Sequence, residues 1–418
     1  MINGQYTSYS DVVRAPSGST GRVFATGYTT SGTCPNCKLV PILTAFNETT
    51  GAVDTTFGTS GHVIDTTLSG SLVGSSSITM GVYGSSYVFR AFALDSTGDG
   101  EADDLVVYSN LVHTSSPQPG PQIWRTIVPF ASGQAGRQPA IIATCCNQTL
   151  LGVATGGAEA GGTKQGVFLR FGFTDGVLVS TWGTGGKRYI SAGTQSEFSA
   201  VASFASATNF CAVGKTRSGT NPWDTVVSCV KWSTGALDTA FDGDGVKTVN
   251  WGDASYPNAH GRAINMKVSS AELTVAANLC NSAGTVCRVG LARVTSAGAF
   301  DSTFDGDGLA SYNLGGFGTI IGNNDILVYG PSRYYLAGQK WVDSGHTTTD
   351  RFLFAFTGSG APDTTFAPGG QRTYSSISTG LEGYAGIAYN WNSTKLLAAG
   401  DRDSGSNIVG TVTQHLNN

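Results

Sequence analysis

Asp54-Thr55-Thr56-Phe57-Gly58-Thr59-Ser60-Gly61 is the stretch that decides the fold, because the chain repeats it. It returns as Val179-Ser180-Thr181-Trp182-Gly183-Thr184-Gly185-Gly186 and as Asp238-Thr239-Ala240-Phe241-Asp242-Gly243-Asp244-Gly245. Two further copies are Asp301-Ser302-Thr303-Phe304-Asp305-Gly306-Asp307-Gly308 and Asp363-Thr364-Thr365-Phe366-Ala367-Pro368-Gly369-Gly370. From Trp182 onward the aromatic recurs about every sixty residues, the signature of a repeat architecture. The gap from Phe57 to Trp182 is about twice as long, which places a degenerate copy near Pro117 to Gln122. Asp, Ser and Thr side chains can bond the backbone of a turn, and glycine permits positive φ. The aromatic reads as a plug buried between neighbouring units, so the motif is structural rather than catalytic.

Outward from this turn, each repeat reads as four short strands. The first alternates small and apolar residues, as in Ala200-Val201-Ala202-Ser203-Phe204. The second ends in Ala-Gly or a close variant, as in Val23 to Gly27, Leu151 to Gly156, Cys211 to Gly214, Tyr335 to Gly338 and Leu397 to Gly400. Tyr87 to Ala91 and Leu273 to Ala277 carry the same strand in two less regular units. A longer aromatic strand, the Phe-Gly turn and a more polar fourth strand follow. Short strands at regular spacing, split by Gly and Asn turns, argue an all-β fold. Seven second strands predict a seven-bladed β-propeller of four-stranded antiparallel blades, closed radially so that few strand edges are exposed. The blades run about 7–68, 69–131, 132–192, 193–252, 253–316, 317–376 and 377–418. The last supplies three strands, and the N-terminal strand Ile2 to Thr7 is expected to complete it. The same segment could instead fill a neighbour's gap, which would build a filament.

The pattern Gly-x-x-Asp-x-Thr-Phe-Gly-x-x-Gly followed by a strand and an Ala-Gly strand resembles the delta-60 repeat. That resemblance implies a β-propeller in an extracellular or surface protein. It carries no catalytic residues across. Pro117-Gln118-Pro119-Gly120 replaces the motif in the second unit.

Only 12% of the 418 residues are charged, the net charge is −4, and glycine alone counts 58. Such a polar, weakly charged surface attracts neither nucleic acid nor an anionic membrane. The apolar runs, such as Leu39 to Phe46, are too short to span a bilayer. Eight cysteines and the sequons at Asn47, Asn147 and Asn392 point to a secreted or cell-surface glycoprotein.

Antiparallel order puts the one–two and three–four loops on one face, and the two–three and inter-blade loops on the other. All three sequons fall on the first face: Asn147 and Asn392 in one–two turns, Asn47 in a three–four turn. The longer two–three loops therefore form the predicted binding face.

One of these loops, Asp95-Ser96-Thr97-Gly98-Asp99-Gly100-Glu101-Ala102-Asp103-Asp104, resembles the calcium loops of FG-GAP-type propeller repeats. The resemblance implies Ca²⁺ ligands at Asp95, Thr97, Asp99, the Glu101 carbonyl and Asp103, with neutral Thr97 where a carboxylate or Asn is usual. Calcium favours six to eight hard oxygen ligands. Asp242 to Gly245 and Asp305 to Gly308 lack the later carboxylate and read as turns.

Cys211 and Cys229 fall on adjacent strands of one blade and are expected to pair. Cys280 and Cys287 flank a two–three loop, and Cys34 and Cys37 close a small ring. Cys145 and Cys146 then remain for a vicinal bridge. The five histidines are scattered, and neither Gly-x-Ser-x-Gly nor His-Glu-x-x-His occurs. Trp223 and Trp341 lie in two–three loops beside amides and carboxylates, an arrangement that suits a pyranose ring. The expected function is a non-catalytic structural or adhesive protein with an extracellular protein or glycan partner, or one that self-associates. A carbohydrate-binding lectin using the loop aromatics and a propeller-scaffold hydrolase are the alternatives.

Overall fold

The computed structural model describes residues 6–416 apart from 16–20, 33–36, 84, 113–121, 131–137, 145–148, 158–162, 204–208, 268–271, 317, 322–325, 330–332, 376–382, 390–394 and 404–407. Among the described residues, six hydrogen-bonded sheets make a seven-bladed β-propeller, the largest sheet uniting the antiparallel blades seven and one through a single parallel pair. The seven second strands are Arg22–Ser31, Ser85–Asp95, Thr149–Gly156, Asn209–Arg217, Glu272–Cys280, Arg333–Trp341 and Lys395–Asp403. Blade six has an inner strand in two pieces, Thr319–Ile321 and Leu327–Tyr329, both paired with Arg333–Trp341. No helix among the described residues is long and apolar enough to cross a membrane.

The aromatic of the repeated turn is the plug between blades. Phe57, Trp182, Phe241, Phe304 and Phe366 are all buried. Each packs into a core shared by its own blade and the next: Phe241 with Val213 and Val275, Phe304 with Leu291 and Phe354, Phe366 with Leu353 and Leu396. The second unit, which lacks the motif, meets the same need with Trp124 on its fourth strand, Gln122–Pro129. Trp124 packs among Phe89, Phe171 and Phe173 and donates its indole N–H to the Phe173 carbonyl at 3.3 Å. Trp182 donates in the same way to the Trp232 carbonyl at 2.8 Å.

The Asp-x-Thr of the motif is a clamp. The Asp54 Oδ1 accepts from the Thr56 N–H and hydroxyl at 3.0 and 2.6 Å, while Arg22 donates to Asp54 Oδ2 and Thr56 Oγ1 at 2.6 and 2.8 Å. Arg293 holds Asp301 and Thr303 alike, and Arg333 holds Asp363 and Thr365. Burial pushes these Asp carboxyls up, but the Thr and Arg hydrogen bonds outweigh it and hold all three below the usual carboxylate range.

The glycine of the Ala-Gly signature has a steric cause. In blades one, four and seven, a Cβ on Gly27, Gly214 or Gly400 would overlap the carbonyl of Ser8, Glu197 or Gly383. Each of those carbonyls lies on the inner strand just before a register shift: Tyr9/Asp11, Phe198/Ala200 and Tyr384/Gly386. Blade five shifts at Gly261/Ala263, and blade two at Val73/Ser76. Such bulges bend a strand and re-aim the extra side chain.

The chain ends meet between blades seven and one. Thr7 pairs with Val409, and the carboxylate of Asp401 accepts from the Ser8 hydroxyl at 2.8 Å and the Tyr9 N–H at 3.3 Å. Burial pushes the Asp401 carboxyl up to about 7, against the pull of the Ser8 and Tyr9 hydrogen bonds. The closing segment expected over Ile2 to Thr7 lies outside the described residues except for Thr7.

Disulfides join Cys211 to Cys229 within blade four and Cys280 to Cys287 across the blade-five hairpin. Cys34, Cys145 and Cys146 lie outside the described residues, as do Asn147 and Asn392. Asn47 ends the third strand of blade one, and its side-chain carbonyl accepts from the Thr49 and Thr50 N–H groups at 2.9 Å each.

Candidate ligand-binding face

The inner strand of each blade enters from the two–three-loop face, so residues at its start line the mouth of the central channel. Over blades three to five this mouth forms a cavity of ≈ 200 Å³. Its polar wall is Lys164, Glu197, Lys215, His260 and Arg262, with Glu101 contributed by the loop of blade two.

The inner-strand bulges build this wall. Ser199 and Arg262 occupy the shifted positions of blades four and five. The Ser199 hydroxyl donates to the Gly261 carbonyl at 2.6 Å and so joins the two blades. Arg262 is half-buried and donates to the side-chain carbonyl of Gln138, just ahead of blade three. Burial lowers the Arg262 guanidinium below its usual value, and Glu197 pulls it back up. Glu197 and Lys215 are direct cross-strand partners and form an ion pair at 3.4 Å. Burial likewise lowers Lys215, with Glu197 opposing. His260 Nε2 is buried with no hydrogen-bond partner among the described residues. Burial, then Lys215 and Arg262, bring this histidine down to about 3, so it is neutral at physiological pH.

Trp223 stands behind the cavity. Its ring is faced by Lys215 Nζ at 4.3 Å and Arg217 Cζ at 4.4 Å, and by the His260 ring edge-on at 6.4 Å. Its carbonyl accepts from the Ala259 N–H at 2.6 Å. The indole is thus half-buried against its own blade and the next. Trp341 is the last residue of its second strand and packs on His346 at 5.1 Å in blade six. The two tryptophans belong to separate clusters.

On the outer side of Trp223, a groove of ≈ 370 Å³ runs between the loops of blades four and five. Asn221, Asp224, Asn250, Trp251, Asp253 and Tyr256 line it. Ala259 lines this groove and His260 the cavity, so adjacent residues of one strand border both. Arg288 covers one face of Tyr256 at 4.5 Å and pairs with Asp253. Burial raises the Asp224 carboxyl above its usual range.

The acidic loop of blade two gathers oxygen donors. Carboxylate oxygens of Asp95, Asp99 and Asp103 lie within 4.8 Å of one another. Asp103 Oδ2 accepts from the Thr97 N–H at 3.0 Å and hydroxyl at 2.9 Å, which brings Thr97 into the same cluster. Asp95 accepts from the N–H groups of Gly98 and Gly100, both at positive φ. This set is all hard oxygen and fits calcium chemistry. In the two look-alike motifs, Asp244 and Asp307 accept from the N–H two residues on, as ordinary turns do.

The sequence singles out Glu101 as a calcium ligand through its carbonyl and Trp223 as a sugar platform, and it singles out none of Glu197, His260 and Arg262. A signal for Glu197 lies in the Ala-Gly glycine of blade four, since Gly214 marks the close approach of the Glu197 carbonyl; blade five has Ala277 at that position, so His260 and Arg262 carry no such mark.

No protein-family model matches this chain, and no curated protein matches it in sequence. Among solved structures, it is similar to the β-propeller domain of the trilobed protease from Pyrococcus furiosus, at 8% identity and a TM-score of 0.47 over 98% of this chain and 95% of that one. It is also similar to acylaminoacyl peptidase from Pyrococcus horikoshii, at 8% identity and a TM-score of 0.47 over 99% of this chain and 52% of that one. A third likeness is to an α-L-arabinofuranosidase from Fusarium graminearum, at 11% identity and a TM-score of 0.45 over 84% and 92%. Likenesses of this size carry neither an activity nor a site residue across.

Proposed function

We propose that this chain is a secreted or surface-exposed, non-catalytic adhesive propeller of the delta-60-like kind, and that its two–three-loop face binds a glycan. The observation that carries this reading is the groove of blades four and five, where Trp251 and Tyr256 stand among Asn221, Asp224, Asn250 and Asp253. Aromatic faces beside amides and carboxylates suit the apolar faces and hydroxyl edges of a pyranose. The disulfides Cys211–Cys229 and Cys280–Cys287 support an oxidising location. Contacts between Asp401 and the Ser8–Tyr9 segment support closure within one chain rather than strand exchange. A glycan array tests the reading. Saturable binding is expected, lost on Trp251→Ala and retained on Trp341→Ala. Loss in both variants, or in neither, would place the ligand elsewhere.

Calcium belongs to the same proposal. Asp95, Thr97, Asp99, the Glu101 carbonyl and Asp103 would hold the ion, which would fix the loop that presents Glu101 to the cavity. A chelator should lower the melting temperature of the wild type and leave Asp99→Asn unaffected. An unchanged wild type would rule the site out.

A hydrolase is the second reading, favoured by one observation: Glu101 and Glu197 line the same cavity. It requires glycoside cleavage that Glu197→Gln abolishes.

A further inference from the structure

Arg90 is only 1% exposed and lies where blade two packs on blade one. It stands on the second strand, Ser85–Asp95, opposite Ile78 of the first strand and Tyr108 of the third, with Arg125 of the fourth opposite Tyr108. Val88 and Phe92, two residues away on the same face, belong to apolar clusters that blade one completes with Phe24, Phe57 and Leu68. The guanidinium donates through Nη2 to the Asn110 side-chain carbonyl at 2.9 Å and covers the Tyr108 ring at 4.9 Å. Nε and Nη1 are buried and have no hydrogen-bond partner among the described residues. Asp65 is the carboxylate near enough to act on Arg90, and it is already taken. Its Oδ1 accepts from the Thr67 N–H and hydroxyl at 2.8 and 2.6 Å, and its Oδ2 from the Tyr108 hydroxyl at 3.0 Å and Arg125 Nη1 at 2.7 Å. Arg125 offsets Asp65, which leaves the Arg90 charge without a counter-ion of its own. Burial lowers this guanidinium to about 10, with Tyr108 and Asp65 opposing, so it stays charged at physiological pH.

We infer that the interface between blades one and two holds one small monovalent anion, a halide, against a free N–H edge of Arg90. A buried charge is tolerated when it is paired, and an orphaned buried donor points to a partner outside the polypeptide. Charge selects an anion over water. A guanidinium has donors and no acceptor, so a water molecule would satisfy an N–H and leave the charge in place. Burial selects the kind of anion. With Ile78, Val88 and Phe92 around it, the site offers carbon on its other sides. A monatomic ion can rest against carbon, whereas a carboxylate or phosphate brings further oxygens that need donors. Charge also sets the number. Nε–H and the Nη1 protons point to different sides of the group, so one ion takes one side, and one negative charge offsets one guanidinium. The contact between the two blades then depends on the anion in the medium by mass action, because the folded chain builds this site and the unfolded chain does not.

Thermal melts of the full chain test this, run from trace chloride to about 0.15 M at constant ionic strength with gluconate as the balancing anion. The wild type should gain about 1–3 °C across the series. Arg90→Met, which keeps the length of the side chain and removes the charge, should show no such gain. In trace chloride it should melt at or above the wild type, because a well-packed apolar side chain often replaces a stranded buried charge without loss. A second measurement needs no variant: wild-type crystals grown in bromide should show an anomalous peak within hydrogen-bond reach of Arg90 Nε or Nη1. Where Arg90→Met fails to fold, this peak decides. Equal chloride dependence in the wild type and in Arg90→Met overturns the inference. So does a bromide crystal whose peaks all lie away from Arg90, which would leave its free edges to water.

Discussion

The two faces of this propeller are made by the same strands, yet one repeats and the other does not. On the sequon-bearing face the turn after the third strand recurs with its Asp-x-Thr clamp and aromatic plug, and Arg22, Arg293 and Arg333 serve the same purpose in different blades. On the opposite face, blade two carries an acidic loop, blade four a tryptophan faced by two cations, and blade five a bulged arginine. Repetition marks what each blade needs in order to pack on the next. Departure from the repeat marks what one blade does alone. The seam between blades seven and one makes the same point on a smaller scale: it has Asp401 and the chain ends in place of a clamped turn.

The largest effect should come from removing a plug. Phe304→Ala should cost about 3–5 kcal/mol, as large-to-small core changes do, and Trp124→Ala should cost a similar amount. Denaturant melts check this. A mild effect at Trp124 would break its equivalence with the motif aromatics.

The clamp is next. Arg293 is buried, bonds Asp301, Thr303 and the Gly358 carbonyl, and covers the Phe304 ring at 5.0 Å. Arg293→Ala should destabilise by about 1–3 kcal/mol, the usual cost of stranding a buried polar partner. The Asp54, Asp301 and Asp363 carboxyls are depressed, so their contribution is complete above the unfolded carboxylate range and is lost as pH falls below it. The acid limb of the melting profile should therefore flatten in Arg293→Ala.

The seam should give a pH effect of the opposite sign. The Asp401 carboxyl titrates at about 7 when folded, against an ordinary 3.8. Between those values the folded chain holds a proton that the unfolded chain releases, so this group's contribution to stability falls as pH rises toward 7. His260 and His415, lowered to about 3 and 4, act the other way below their ordinary 6.5. The difference between wild type and Asp401→Asn isolates the seam: the variant should gain on the wild type as pH rises from 4 to 7, and a constant difference would remove Asp401 from the closure.

Much of this was legible in the chain. Seven second strands, the plug role of Phe57, Trp182, Phe241, Phe304 and Phe366, and the Cys211–Cys229 and Cys280–Cys287 pairs follow from spacing, because each depends on contacts within a repeat or between successive repeats. The Asp95–Asp103 cluster was legible for the same reason, its donors lying within one loop. The cavity was not. Gln138 and Arg262 belong to blades three and five and meet only because radial closure brings the starts of inner strands together at one mouth. Arg262 faces that mouth because a bulge turns it there, and strand alternation alone gives no sign of a bulge. Local chemistry and period therefore determined the blades and their seams, while the charge and lining of the cavity were decided by closure, which no single repeat contains.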